Sequence, residues 1–223
     1  MTALVIQHRP TEAIKIEPLG LDALLAVPAQ ACGLVIFAHG SGSGRLSPRN
    51  NRVADGLHEH DLATLLLDLL SPAEEVDRRN VFDIALLASR LRLAAIWAST
   101  DRRTRHLPIA YFGASTGAGA AILAAAGQRD GISCVVSRGG RIDLAGAQAL
   151  SALRVPLQVI VGGHDLPVLD ISRGIMRLIP GEKEFVIVPG AGHLFEERGA
   201  LEQVINHATR WFLAHFPIRH EGA

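Results

Sequence analysis

A serine with a glycine two residues to either side, Gly113-Ala114-Ser115-Thr116-Gly117, stands between an apolar run at 109–112 and a small-residue, helix-forming run at 118–126. Strand, sharp turn and helix in that order hold a serine at the tip with a strained backbone and an exposed hydroxyl. The same five-residue pattern also occurs in ordinary loops, so its meaning depends on its partners. A serine hydroxyl is a poor nucleophile near neutral pH and needs a base to take its proton as it attacks. His193, reached through Gly190-Ala191-Gly192 after the last apolar run, supplies an imidazole that can both take and return that proton. A carboxylate would fix the imidazole tautomer and stabilise the imidazolium. Asp165, after Gly162-Gly163-His164, is the favoured acid, because it lies on a loop after a strand with a flexible glycine approach. It could instead cap the helix that Pro167 begins, and Asp143 and Asp170 are alternative acids.

Charge that develops on a substrate oxygen needs fixed N–H donors. The backbone N–H of Thr116, at a helix start, is one candidate. That of Ser41 is the other, in the turn His39-Gly40-Ser41-Gly42-Ser43-Gly44. His39 is the nearer rival to His193 by motif, but it precedes the turn and is expected to order it by hydrogen bonding; His39 and Gly42 are candidate substrate contacts. Arg138 and Arg141, after another strand, are candidates too, since a guanidinium suits bidentate contact with a carboxylate; a structural role tying loop carbonyls is the alternative. The glycine-rich turn completes neither G-x-x-x-x-G-K-[ST] nor G-x-G-x-x-G, which argues against a nucleotide cradle.

These groups must be positioned by elements, and the chain supplies them in alternation. Residues 13–17 and 21–27 read as an N-terminal hairpin around Pro18-Leu19-Gly20. Short apolar runs at 34–38, 62–67, 109–112, 132–136, 157–161 and 185–188 read as strands, the first of them buried on both faces. Ser47-Pro48 opens a helix to about His60, and Ser71-Pro72-Ala73-Glu74 carries a capping box before a long helix at 81–98, broken near Arg78. Helices are also expected at 167–178 and at the end, where Leu201, Val204, Ile205, Ala208, Phe212 and Phe216 form a helical stripe. Alternating strands and helices predict an α/β fold: a mostly parallel sheet with helices on both faces. Functional groups in such a sheet gather at the carboxyl ends of the strands, where every candidate above falls.

The 223 residues, 48% of them hydrophobic, suffice for one domain, taken as 1–223, with a substantial core. Lys and Arg balance Asp and Glu at 22 each, so no global field favours nucleic acid. The basic cluster Arg102-Arg103-Thr104-Arg105-His106 reads as a solvated loop. No apolar run nears the ~18 residues that cross a bilayer, and Met1 to Pro10 lacks the features of a signal peptide, so no membrane partner and a cytoplasmic location are expected. Cys32 and Cys134 adjoin apolar runs and read as buried reduced thiols. No His, Cys, Asp and Glu cluster has metal-ligand spacing, so no metal or other cofactor is expected.

With these motifs in order, the chain resembles an α/β-hydrolase, and within that fold the small branch without a cap domain that is similar to dienelactone hydrolases. The resemblance rests on His39-Gly40-Ser41-Gly42-Ser43-Gly44 followed by Ser47-Pro48-Arg49-Asn50, on Gly113-Ala114-Ser115-Thr116-Gly117, on Gly162-Gly163-His164-Asp165 and on Gly190-Ala191-Gly192-His193. It implies a nucleophile, acid and base in the chain order Ser, Asp, His. Dienelactone hydrolases proper resemble this chain but carry a cysteine nucleophile. Ser115 in that place shifts the expectation to a serine esterase acting through an acyl-enzyme on a small ester, lactone or thioester. Acyl transfer on the same triad and a non-catalytic small-molecule-binding module are the alternatives; a homodimer is left open.

Overall fold

The computed structural model describes residues 11–127 and 131–217. Met1 to Pro10, read above for a leader peptide, lie outside the described residues.

Strands β1 (Glu12–Ile16) and β2 (Leu21–Ala26) form the expected hairpin, and β3 (Gly33–Ala38) follows. Helix α1 (Pro48–His58) starts where the sequence indicates, with the Ser47 hydroxyl accepting the Asn50 N–H and Pro48 at the first turn. After β4 (Leu62–Leu67) comes a short turn of helix, α2 (Pro72–Glu75). Both hydrogen bonds of the Ser71/Glu74 capping box form there. A second short turn, α3 (Arg78–Val81), precedes the long α4 (Ile84–Thr100). The long helix therefore begins later than expected, because Asp83 accepts the Leu86 N–H and caps it there. Next come β5 (Ile109–Ala114), α5 (Thr116–Ala126) and β6 (Ile132–Arg138). A 3₁₀ turn (Ile142–Ala145) and α6 (Gly146–Ala152), which carries little periodic signal, follow without having been anticipated. Strand β7 (Leu157–Gly162), α7 (Leu166–Ile175), β8 (Lys183–Val188) and α8 (Ala200–His215) complete the described chain. The helix expected to run to 178 ends at Ile175 and tightens to a 3₁₀ turn at Met176–Leu178.

The eight strands form one sheet in the order β1-β2-β4-β3-β5-β6-β7-β8. The β1–β2 and β2–β4 pairs are antiparallel; the rest are parallel. Pairing of Ala38 with Gly113, Ala114 with Arg138 and Gly162 with Val188 brings the carboxyl ends of the central strands to one edge.

Side-chain alternation sends successive residues of a strand to opposite faces. Leu34 and Ile36 of β3 join Leu87 and Leu91 of α4 and Ile122 of α5 in one core. Val35 and Phe37 join Val53 and Leu57 of α1 and Val204 and Phe212 of α8 in the other. Covering both faces is why β3, β4, β5 and β7 are buried along their whole length and read as unbroken apolar runs. The alternating burial of β2 instead reflects its place near the edge. Each fully buried Leu or Phe contributes about 1.5–3 kcal/mol, so the two layers supply a rigid floor beneath the strand ends. Cys134 is buried on β6, where burial pushes its thiol well up; Cys32 is only half-buried. The basic cluster is tied down more than a solvated loop would be. Arg103 pairs with Asp101 and Glu12, and Thr104 is buried with its hydroxyl donating to the Ala98 carbonyl.

Candidate active site

Ser115 stands between β5 and α5 with φ 50° and ψ −122°. A non-glycine residue there carries strain of about 1–3 kcal/mol and persists only where its surroundings over-determine it. They do so here. The Ser115 N–H donates to the Arg138 carbonyl at 3.3 Å, and the Ser115 carbonyl accepts from the N–H groups of Ala118 and Arg141 at 3.1 and 3.0 Å. The flanking glycines are steric necessities. A Cβ at Gly113 would lie 2.5 Å from the Ala118 Cα, and one at Gly117 would lie 2.2 Å from the Ala38 carbonyl oxygen. Helix α5 can therefore press against the ends of β3 and β5, with its N-terminus beside the serine.

Two loops carry the acid and the base. After β7, the Gly163 N–H donates to the Val188 carbonyl and the His164 N–H to the Ala191 carbonyl, which binds this loop to the one after β8. Asp165 occupies the N-cap position of α7, yet its side chain makes no capping bond. Instead its Oδ2 lies 2.7 Å from His193 Nδ1. The carboxylate side chain is 8% exposed and the imidazole 40% exposed. The rivals are placed elsewhere. Asp143 accepts two hydrogen bonds from the Arg141 guanidinium, which hold its carboxyl below the usual range, and Asp170 is exposed on α7. His193 is steadied by Glu197, which accepts the Gly192 N–H at 2.9 Å, a contact with no sequence signature. Its carbonyl packs against Gly139, the residue after Arg138 on the strand beside Ser115. No hydrogen bond joins the Ser115 hydroxyl to the imidazole.

On the other side of Ser115, Gly40 packs directly against its Cβ. The Leu69 N–H donates to His39 Nε2 at 3.1 Å, so the His39 proton is on Nδ1 and goes to the Gly40 carbonyl at 3.0 Å. Both ring nitrogens of His39 are thus engaged in ordering the turn. The Ser41 N–H donates to Thr116 Oγ1 at 3.0 Å, which joins the two residues expected to form an oxyanion hole. Beside them lies a cavity of about 290 Å³. The turn from His39 to Ser43 and Thr116 line one side, with Leu70, Val81 and Leu87 as an apolar wall and Glu75 as its one carboxylate. Gly42 is part of that lining, whereas Glu75 and the apolar wall went unnoticed in the sequence. Arg138 is 8% exposed and points toward α1, where its Nη2 lies 3.4 Å from Asn50 Oδ1. Arg141 is bound to Asp143 through two nitrogens, so it is not a free cation. Among the described residues, no group of three or more His, Cys, Asp or Glu is arranged to hold a metal ion, and no helix is long and apolar enough to cross a membrane.

A mostly parallel sheet covered by helices, an antiparallel N-terminal pair, a strained serine between strand and helix, and no cap domain among the described residues define an α/β-hydrolase. The chain belongs to the dienelactone hydrolase family within that class. It is 46% identical to a dienelactone hydrolase from Anabaena variabilis, with a TM-score of 0.88 over 93% of this chain and 98% of that one. Est1E from Butyrivibrio proteoclasticus shares the fold at 17% identity, with a TM-score of 0.77 over 92% of this chain and 98% of that one. Two Mycobacterium tuberculosis proteins, each named "putative phosphoribosyl transferase", are 52% identical over 198 residues. That match covers 89% of this chain and 44% of theirs, so the chain spans less than half the length of these relatives. No family model matches the sequence.

Proposed function

We propose that the protein is a serine hydrolase that cleaves a small carboxylic ester, lactone or thioester through an acyl-enzyme. The observation that carries this reading is the 2.7 Å contact of Asp165 Oδ2 with His193 Nδ1, beside a strained Ser115. A carboxylate accepting from Nδ1–H leaves Nε2 unprotonated, which is the tautomer a general base needs. Nε2 takes the Ser115 proton as Oγ attacks the acyl carbon. The tetrahedral oxygen collects charge at the N-terminus of α5, where the Thr116 N–H and the helix dipole favour it. The Ser41 N–H exchanges Thr116 Oγ1 for that oxygen. His193 then returns the proton to the leaving group, and a water activated by the same imidazole releases the acid. The cavity of about 290 Å³, at the lower end of ligand-pocket sizes, suits a short acyl chain against Leu70, Val81 and Leu87.

The transferase name of the M. tuberculosis relatives describes proteins of which this chain matches 44%. It gives no residue of this site a role, whereas hydrolysis uses Ser115, His193 and Asp165 together. A fluorophosphonate probe is expected to label Ser115, and Ser115→Ala to abolish turnover of p-nitrophenyl acetate. A wild-type protein that is neither labelled nor active on any acyl ester would refute the proposal.

A further inference from the structure

Helix α1 begins at Pro48 with no acidic residue in its first turn, and its N-terminal end carries the partial positive charge of the helix dipole. Arg49 and Asn50 stand in that turn. Into the same place, from β6, comes Arg138, at 88 residues' remove from Asn50. Arg138 is more than nine-tenths buried. Of its five donors, one reaches Asn50 Oδ1 at a long 3.4 Å, and Nε and Nη1 are buried with no partner. Among the described residues no carboxylate pairs with Arg138. Arg49 Nε is buried without a partner as well, and Arg49 Nη1 goes to Glu196 at 2.8 Å on the outer side. A buried cation is ordinarily paired, and buried donors are ordinarily satisfied. Here two neighbouring guanidinium groups have vacant donors beside a helix N-terminus. Burial and the like charge of Arg49 pull the Arg138 pKa down to about 10, the direction expected of a cation that lacks a counter-ion.

We propose that Arg138, Arg49 and the first turn of α1 bind a small oxyanion group, a phosphate or a carboxylate, carried by the substrate of the hydrolase reaction, and in that last respect the inference rests on the function proposed above. Position ties this site to Ser115: Arg138 pairs with Ala114 in the sheet, and its carbonyl holds the Ser115 N–H. Strand β6, which carries Arg138, lies on the other side of β5 from β3, whose turn lines the cavity with Glu75. Entry is by way of Arg49, whose side chain is 34% exposed. Arg141 has no part in the site, since Asp143 already neutralises it.

Thermal unfolding of the whole protein in sodium phosphate, sodium acetate and sodium chloride at matched ionic strength tests the site without any turnover. Phosphate or acetate at tenfold its Kd should raise Tm by about 3–6 °C over chloride. Arg138→Gln should abolish that shift, and Arg49→Gln should do the same should the first variant fold poorly. Arg173→Gln, on the exposed face of α7, should keep it. Which of the two anions acts identifies the group as phosphate or carboxylate. Equal melting in all three salts, or a shift that survives both Arg138→Gln and Arg49→Gln, would overturn the proposal. For the link to the substrate, the ratio of KM for p-nitrophenyl butyrate to KM for mono-p-nitrophenyl succinate is compared between wild type and Arg138→Gln when acetate acts. A fall of about tenfold in the variant is expected, and an unchanged ratio would remove the substrate link. When phosphate acts, the same comparison uses a phosphorylated p-nitrophenyl ester. An intact anion shift in a protein that hydrolyses no ester would sink the hydrolase reading and leave the anion site standing.

Discussion

Replacing Asp165 by Asn separates the acid joined to His193 from its sequence rivals. The substitution keeps the shape of a side chain that is 8% exposed and sits 2.7 Å from Nδ1. It exchanges an oxygen that accepts Nδ1–H for a group that can present N–H, and it removes the charge that faces the imidazolium in the proposed attack. Charge centres about 4 Å apart at an effective dielectric near 20 interact by about 4 kcal/mol. Lost from the transition state alone, that corresponds to roughly a thousandfold in kcat. Wrong-tautomer population adds to it, so a fall of about 10³–10⁴ is expected. Folding should be little disturbed, because the Asp165 backbone bonds to Gly162 and Leu169 remain. The assay is kcat on p-nitrophenyl acetate for wild type, Asp165→Asn, Asp143→Asn and Asp170→Asn, with thermal melts as the control for folding. Asp143→Asn frees Arg141, and Asp170→Asn alters an exposed position, so both should stay within about tenfold of wild type. An Asp165→Asn enzyme within tenfold of wild type, or an equal loss in Asp143→Asn, would refute the assignment.

Gly117→Ala forces a methyl group to 2.2 Å from the Ala38 carbonyl oxygen, between two backbones that cannot turn aside. Overpacking of this kind costs about 1–3 kcal/mol, or about 2–12 °C in Tm, and an unchanged melt would contradict the tight turn. Thr116→Val removes the acceptor of the Ser41 N–H and should lower stability by about 1 kcal/mol. If that N–H is handed to the substrate oxygen, kcat should fall less than tenfold; a hundredfold loss would mean that the hydroxyl itself is a donor. His58, half-buried and with Nε2 2.7 Å from Thr64 Oγ1, has its pKa lowered by desolvation from 6.5. The unfolded chain therefore binds this proton more readily, so its contribution to stability is complete above pH 6.5 and is lost as pH falls toward the folded value. Denaturant titrations from pH 7 to 5 should show a shallower decline in His58→Gln, and parallel curves would remove His58 as a cause.

The strand and helix order of this protein, its turn at Ser115 and the positions of His193 and Asp165 are legible in the sequence because each rests on local physics. Unbroken apolar runs mark strands covered on both faces. Ser47-Pro48 and Ser71 to Glu74 write helix starts in hydrogen bonds that reach only three residues ahead. Gly113 and Gly117 mark a turn too tight for any side chain. The tertiary structure decided what depends on distance between chain-remote atoms. Asp165, Asp143 and Asp170 are chemically alike, and only the packing of the β7 loop on the β8 loop selects the one that meets His193. The engagement of the Ser41 N–H by Thr116 spans 75 residues, and the meeting of Arg138 with Asn50 spans 88. Arg138 and Arg141 look equivalent in the chain, three residues apart after one strand. One is neutralised by its neighbour Asp143, while the other turns into the interior beside Arg49. Residue type and spacing determine which groups are available for chemistry; burial and the absence or presence of a counter-ion determine which of them have work left to do.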